Sequence, residues 1–312
     1  MFRRRFSANG TVIGPWWEDS EFSPDESLIF YLFGVVLCAV ICIGLTGNFM
    51  TIVIFARGQP KKSHNTLTLG LAYSDLMMVL GSQMPTCISA FRTKWTFFST
   101  VGCTMSAAFG AFSGFSSILI MSFIAYNRYV SVYYPLDAMA YQDDHKRTGK
   151  MLAASYLTSA MLAALPMSYN GYRSTTLPFC CVLGFNDLNW RSVMTLVCMY
   201  SIGFIIPLLS ICWFYIQILR KIRQTNLDLA GAKNHANQHS TEKKAVITSL
   251  LCVVVFVFCW LPYATVLLVG HLPFDLQVAE FKPHTIALAA VCAKMSAACN
   301  PFIYGSLHVK KK

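Results

Sequence analysis

Lys294 stands inside an apolar run, Ala293-Lys294-Met295-Ser296-Ala297-Ala298-Cys299, that closes on Asn300-Pro301-Phe302-Ile303-Tyr304. A lysine near the middle of a membrane helix costs about 2.5 to 3.5 kcal/mol on insertion scales, so such a residue marks a functional site. The chemistry open to it is imine formation. An aldehyde is attacked by a neutral amine, and desolvation lowers a lysine pKa by up to ~3 to 5 units from about 10.4. Val291, Ala293, Ala297 and Ala298 supply apolar surroundings that leave room for a ligand. Asn300 and Pro301 follow six and seven positions later. At about 1.5 Å per residue the amine sits roughly 9 Å along the axis from the asparagine, with a proline-weakened joint at the far end.

The elements that must position this amine are membrane helices. Of 312 residues, 55% are apolar and 12% charged, whereas about a quarter of an average soluble chain is charged. Stretches of about 20 apolar residues cross a bilayer, and seven can be drawn, at 28–56, 66–90, 101–134, 150–168, 192–219, 244–269 and 284–307. The fold class is therefore an all-α membrane protein, a seven-transmembrane-helix bundle. Residues 1–27 are expected to form an extracellular segment, 28–307 the helical domain, and 308–312 the start of a cytoplasmic tail.

With the first segment outside, the cytoplasmic side carries 16 lysines and arginines against 8 on the other face, as the positive-inside rule requires. The net charge of +11 then reads as topology toward membrane lipid. Without a basic and aromatic platform, no nucleic-acid partner is expected. Arg3, Arg4 and Arg5 are followed by a polar segment, so the first span is expected to act as its own insertion signal. Asn9-Gly10-Thr11 is a glycosylation sequon on the outer side, with Asn9 as acceptor.

Nine of the twelve cysteines fall inside apolar spans as small hydrophobes. Cys103 opens the third span on the outer face, and Cys180-Cys181 lies in the outer loop after the fourth, so one disulfide is expected. Cys181 is the preferred partner, with Cys180 the other choice. Asp75 is a single carboxylate in the second span and needs a partner. Asn48 and Asn300 are strongly polar at comparable depth, so these residues are expected to form a cluster that could hold water or sodium at Asp75; no other metal is expected.

Gly47-Asn48, Leu71-Ala72-x-x-Asp75, Cys103, Arg128-Tyr129, Pro207, Cys259-Trp260-x-Pro262 and Asn300-Pro301-x-x-Tyr304 occur in this order and in successive spans. The chain thereby resembles rhodopsin-like, class A G-protein-coupled receptors over residues 40 to 306. Within that family it is similar to the opsins, because Lys294, six positions before Asn300, matches the lysine that binds retinal as a Schiff base. Trp260, Tyr263, Ala264, Gly114 and Phe204 match opsin positions that enclose the chromophore. The resemblance implies 11-cis- or all-trans-retinal as cofactor and a heterotrimeric G protein as partner. Its mechanism would be isomerisation pressing on Trp260, tilting of helix six about Pro262, and rearrangement of Arg128, Tyr215 and Tyr304.

The chain departs from the opsin pattern at the counterion. A protonated Schiff base is a buried cation that wants an acid within about 4 to 6 Å. The family places a glutamate three residues after the third-helix cysteine or six before the loop cysteine, where this chain has Ser106 and Thr175. The helix-two site used in some members is Thr86. The first expectation is an unprotonated, ultraviolet-absorbing Schiff base. The second is a chloride held by Ser106, Thr86 or Thr175, and the third is an acid such as Asp187 folding over the pocket. Glu280, 14 residues before Lys294, is roughly 21 Å away along the axis.

Coupling departs too. Asn127 replaces the acid before Arg128, which leaves Glu242 to pair with the arginine and predicts a leakier resting state. His308-Val309-Lys310 is similar to the tail tripeptide of invertebrate rhabdomeric opsins, which couple to the Gq class. Two other readings compete with the cell-membrane photoreceptor. One is a retinal photoisomerase, an enzyme in place of a signalling receptor. The other is a chemoreceptor in which Lys294 pairs with an acidic ligand and no retinal is bound.

Overall fold

The computed structural model describes residues 24–57, 63–92, 99–136, 144–169, 171–174, 181–183, 190–228, 236–271 and 283–308. Seven helices form one bundle. They are α1 (Pro24–Arg57), α2 (Ser63–Met78, running through a π turn at Val79–Gln83 into Met84–Phe91), α3 (Ser99–Tyr133) and α4 (His145–Ala164, tightened into a 3-10 turn at Leu165–Tyr169), then α5 (Trp190–Tyr200, a π turn at Ser201–Ile205, then Ile206–Asp228), α6 (Ala236–His271) and α7 (Pro283–His308). Five spans are long and apolar enough to cross a membrane among the described residues. α2, divided by its π turn, and α7, whose apolar part is the shorter Leu288–Ile303, complete the seven. The chain is a multi-pass membrane protein.

The prolines explain where the helices depart from regular winding. Pro85 and Pro207 follow the two π turns closely. A proline has no N–H for the carbonyl four residues back, and the loosened turn accommodates one extra residue. Pro262 and Pro301 lie inside α6 and α7, where they mark the weak points of those helices.

α3 is the central pillar, touching α2, α4, α5, α6 and both strands of the outer loop. Its Ile118, Ile120, Met121 and Ile124 pack with Leu67, Leu71, Ile211, Ile218 and Phe256 in the largest buried cluster. Around the outside the large apolar side chains are exposed, among them Phe49, Met50, Leu157, Leu209 and Phe258. Such a surface suits lipid, and the helices satisfy their own backbone groups within it. α1 closes on α7 because Gly47 lacks a side chain: a Cβ there would lie 2.7 Å from Pro301 Cβ.

Between α4 and α5 the chain makes an antiparallel hairpin, β1 (Tyr172–Ser174) and β2 (Cys181–Leu183), with Ser174 opposite Cys181. Cys181 is joined to Cys103 at the top of α3, which bears out the preferred cysteine pairing. The Tyr172 hydroxyl donates to Ala163 O at 3.0 Å, tying the hairpin to α4 as well. The hairpin is thus pinned over the outer end of the bundle at two points.

The disulfide closes a separation of 78 residues, so its loss should lower stability by about 2 to 5 kcal/mol. Cys181→Ser and Cys103→Ser are expected to lower the melting temperature in detergent equally, the double variant no further, and Cys180→Ser not at all.

Candidate functional site

α7 brings the Lys294 side chain to the π turn of α2. Its Nζ donates to Ser82 Oγ at 2.6 Å, and Gln83 Nε2 donates to the Lys294 carbonyl at 2.7 Å. Adjacent residues of α2 therefore grip the lysine at its amine and at its backbone. Both are buried, and Gln83 Oε1 is enclosed without a hydrogen-bond partner.

The amine stands at the edge of a cavity with about 930 Å³ of atom-free space, its mouth included. Phe115, Leu196, Met199, Phe204 and Leu267 form its walls. Tyr172, Cys181, Val182 and Leu183 of the hairpin form the roof, with Trp260, Tyr263 and Ala264 on the α6 side. Among the described lining residues there is no acid, and Lys294 is the charged one.

Trp260 is held from two directions. Its indole N–H donates to Ser296 Oγ at 3.0 Å, and that hydroxyl donates in turn to Ala293 O at 2.7 Å. Gly114 sits directly against the ring, since a Cβ there would be 2.2 Å from Trp260 Cη2. The ring of the cavity is thereby wired to the backbone beside Lys294. The Tyr200 hydroxyl donates to Ala264 O, joining α5 to α6 across the same wall.

Of the residues the sequence singled out, Lys294, Trp260, Tyr263, Ala264 and Phe204 line one cavity, and Gly114 supports Trp260 from outside it. Ser106 and Thr86 are buried near the amine, but their hydroxyls donate to the Ser82 carbonyl at 3.3 and 2.7 Å. Thr175, Asp187, Glu280 and Asn9 lie outside the described residues, as do the side chains of Glu242 and Tyr304 and the segment after His308. Sequence reasoning passed over Ser82, Gln83 and Ser296. The available signal was a polar pair, Ser82-Gln83, in the apolar second span.

The polar cluster is narrower than expected. Asn300 Nδ2 donates to Asp75 Oδ2 at 2.9 Å. Asn48 Nδ2 instead bridges the carbonyls of Gly44 and Ala297, at 2.9 and 2.8 Å, and so fastens α1 to α7. Among the described residues no group of three metal-binding acids, histidines or cysteines occurs. Toward the cytoplasmic end, the buried Tyr215 hydroxyl lies beside Ser249 and Arg128. Asn127 precedes Arg128 on α3 and accepts the Ser131 hydroxyl on its carbonyl at 2.9 Å.

A family model described as the 7 transmembrane receptor (rhodopsin family) matches residues 47–304. The chain belongs to that family. Relatives make it an opsin-type, class A receptor. It is 27% identical to Melanopsin-B of Xenopus laevis, over 92% of this chain and 54% of that one. It is also 27% identical to the rhodopsin of Enteroctopus dofleini, over 97% and 68%. The crystal structure of squid rhodopsin superposes with a TM-score of 0.81 at 25% identity, covering 97% of this chain and 88% of that one. The chain thus spans between about half and two thirds of the length of these curated relatives.

Removing one partner of a buried polar pair strands the other, at about 1 to 3 kcal/mol. Asn300→Ala in this opsin-type receptor is expected to lower thermal stability in detergent by that amount. Asp75→Asn in the same background should recover part of the loss, as a double-variant melting series would show.

Proposed function

We propose that the chain is a light-sensing receptor of the cell membrane, with its N-terminus outside, that carries retinal as a Schiff base on Lys294 and signals to a heterotrimeric G protein. The observation that supports this reading is the Lys294 amine at the edge of a roofed, aromatic cavity whose described lining is otherwise uncharged. The residues fit the group: an apolar polyene needs apolar walls, and an aldehyde needs one amine. When bound, retinal would supply light absorption and a light-driven change of shape.

Lys294 contributes the nitrogen. Its Nζ would hold an aldehyde as an imine, with the carbonyl oxygen lost as water and no oxidation or reduction required. The surrounding apolar side chains favour the neutral amine that this needs. They also favour the unprotonated Schiff base afterward, hence a pigment absorbing in the ultraviolet. A chloride held by Thr86 and Ser106 is the weaker reading, because both hydroxyls already serve the Ser82 carbonyl.

Trp260 receives any push from the cavity. Its ring is packed against Gly114 and Phe256 and bonded to Ser296 on α7, so displacement would be passed to α6 beside the Pro262 joint. Movement there would open the cytoplasmic ends around Arg128, Tyr215 and Tyr304 to a G protein. The Gq class is favoured by the His308-Val309-Lys310 tripeptide. Asn127 takes the place of an acid beside Arg128, which weakens the restraint on the resting state.

Incubation with retinal, borohydride reduction and peptide mapping should label Lys294, and Lys294→Ala should capture nothing. Label elsewhere, or none on the intact chain, would remove the retinal assignment. Asn127→Asp should lower basal nucleotide exchange on a G protein several-fold without altering retinal capture. Equal basal exchange would mean that position 127 does not restrain Arg128.

A further inference from the structure

Two cysteines that the cavity does not use meet in the seam where α6 packs on α7. Cys259 stands three residues before Pro262, and Cys299 two residues before Pro301. The register of the two helices is fixed by the Trp260 indole, which donates to Ser296 Oγ at 3.0 Å. Successive spans run in opposite directions, so a step back along α6 and a turn forward along α7 lead toward the same end of the bundle. There the Cys259 and Cys299 thiols are hydrogen-bonded to each other. Both are free and half-buried.

The pair sits on the lipid side of the seam. Neither cysteine lines the cavity. Met295 and Phe302, a turn to either side of Cys299, are exposed, and so are Phe258 and Leu261 around Cys259. Cys292 is a further thiol of α7 within electrostatic reach of Cys259, and it competes for the same sulfur.

A disulfide bond is about 2.05 Å long, so two thiols already in contact close to it by side-chain rotation. The oxidant must reach them through the bilayer. We propose that Cys259 and Cys299 are a modification site, converted by a lipid hydroperoxide into a disulfide that pins α6 to α7. One sulfur attacks the terminal peroxide oxygen; an S–O bond forms, the O–O bond breaks, and the remaining oxygen leaves with the thiol proton as an alcohol. The second sulfur then displaces the oxygen from the sulfenic acid, which departs with the second thiol proton as water while S–S forms. Each sulfur gives up one electron, and the hydroperoxide takes both. The bridge ties the helices between their Pro262 and Pro301 joints, so α6 cannot bend there without carrying α7 with it. The thiol chemistry stands by itself; its effect on signalling rests on the light-sensing reading above.

The test uses the full chain in phosphatidylcholine vesicles, with cumene hydroperoxide as the lipophilic oxidant. Alkylation of the remaining thiols, non-reducing digestion and mass spectrometry should show a new linked pair, Cys259 with Cys299, and the Cys103–Cys181 link serves as the internal reference. Cys299→Ser should abolish the new pair, and Cys292→Ser should leave it. With retinal bound, oxidation should lower light-dependent nucleotide exchange of the parent several-fold, and Cys299→Ser treated in the same way should keep its exchange.

Absence of the Cys259–Cys299 link, or a Cys259–Cys292 link in its place, would overturn the site. A link that leaves exchange unchanged would overturn the pinning of α6. A parent that forms the link yet shows no light-dependent exchange before oxidation would overturn the proposed function and leave the thiol chemistry standing.

Discussion

A primary amine inside a bilayer is tolerated only if its nitrogen has a hydrogen-bond partner and its charge is either compensated or absent. The interior of this receptor is arranged around that requirement. Ser82 provides the partner at 2.6 Å, and Gln83 holds the backbone of the same lysine. The lysine is therefore held at its amine and at its backbone by one turn of α2. That turn is a π turn, a geometry that places successive residues where a regular helix would not. The cavity, the hairpin over it and Trp260 are then organised with respect to a nitrogen whose position is already set.

The rest of the bundle connects that nitrogen to the opposite end of the molecule. Trp260, Ser296 and Ala293 form a short hydrogen-bonded chain between α6 and α7. Below it, Asn48 fastens α1 to the Ala297 carbonyl, and Asn300 meets Asp75. Each link is a polar contact in an apolar interior, where unpaired groups are costly and paired ones rigidify. Pro262 and Pro301 interrupt the two helices in this same zone. Polar contacts thus lie beside the weakened joints of both helices.

The treatment of charge distinguishes this chain from the usual opsin pattern. Asp75 is engaged by Asn300, and Asp144 is engaged at the start of α4. Near the lysine stand the Ser82 hydroxyl and the Gln83 amide, and Ser106 and Thr86 serve the carbonyl of Ser82. Hydroxyls satisfy hydrogen bonds without adding charge, so they suit a neutral nitrogen. The same economy extends to the cytoplasmic end, where a neutral Asn127 stands beside Arg128.

The one-dimensional pattern was enough for the class of fold and for the residue at the centre of the site. Apolar runs of about 20 residues specify helices because only a helix satisfies all the backbone groups of such a run within the run itself. Lys294 is conspicuous because its cost in such a run has no structural purpose. Trp260, Tyr263, Ala264 and Phe204 were legible only through resemblance, since an aromatic stripe is ordinarily core. The partners of the amine were not legible. Ser82 and Gln83 owe their directions to a π turn before Pro85, which a 3.6-residue period does not describe, and serines in a span are unremarkable until a distance joins them to another helix. The disulfide pairing was only a preference in the sequence, because Cys180 and Cys181 are adjacent. The structure joins Cys181 to Cys103, with Cys181 opposite Ser174 in the hairpin. Composition and spacing determined which groups are present and how deep they lie; the meeting of α2 with α7 decided which of them touch, because contact between helices depends on winding and close approach that no local pattern encodes.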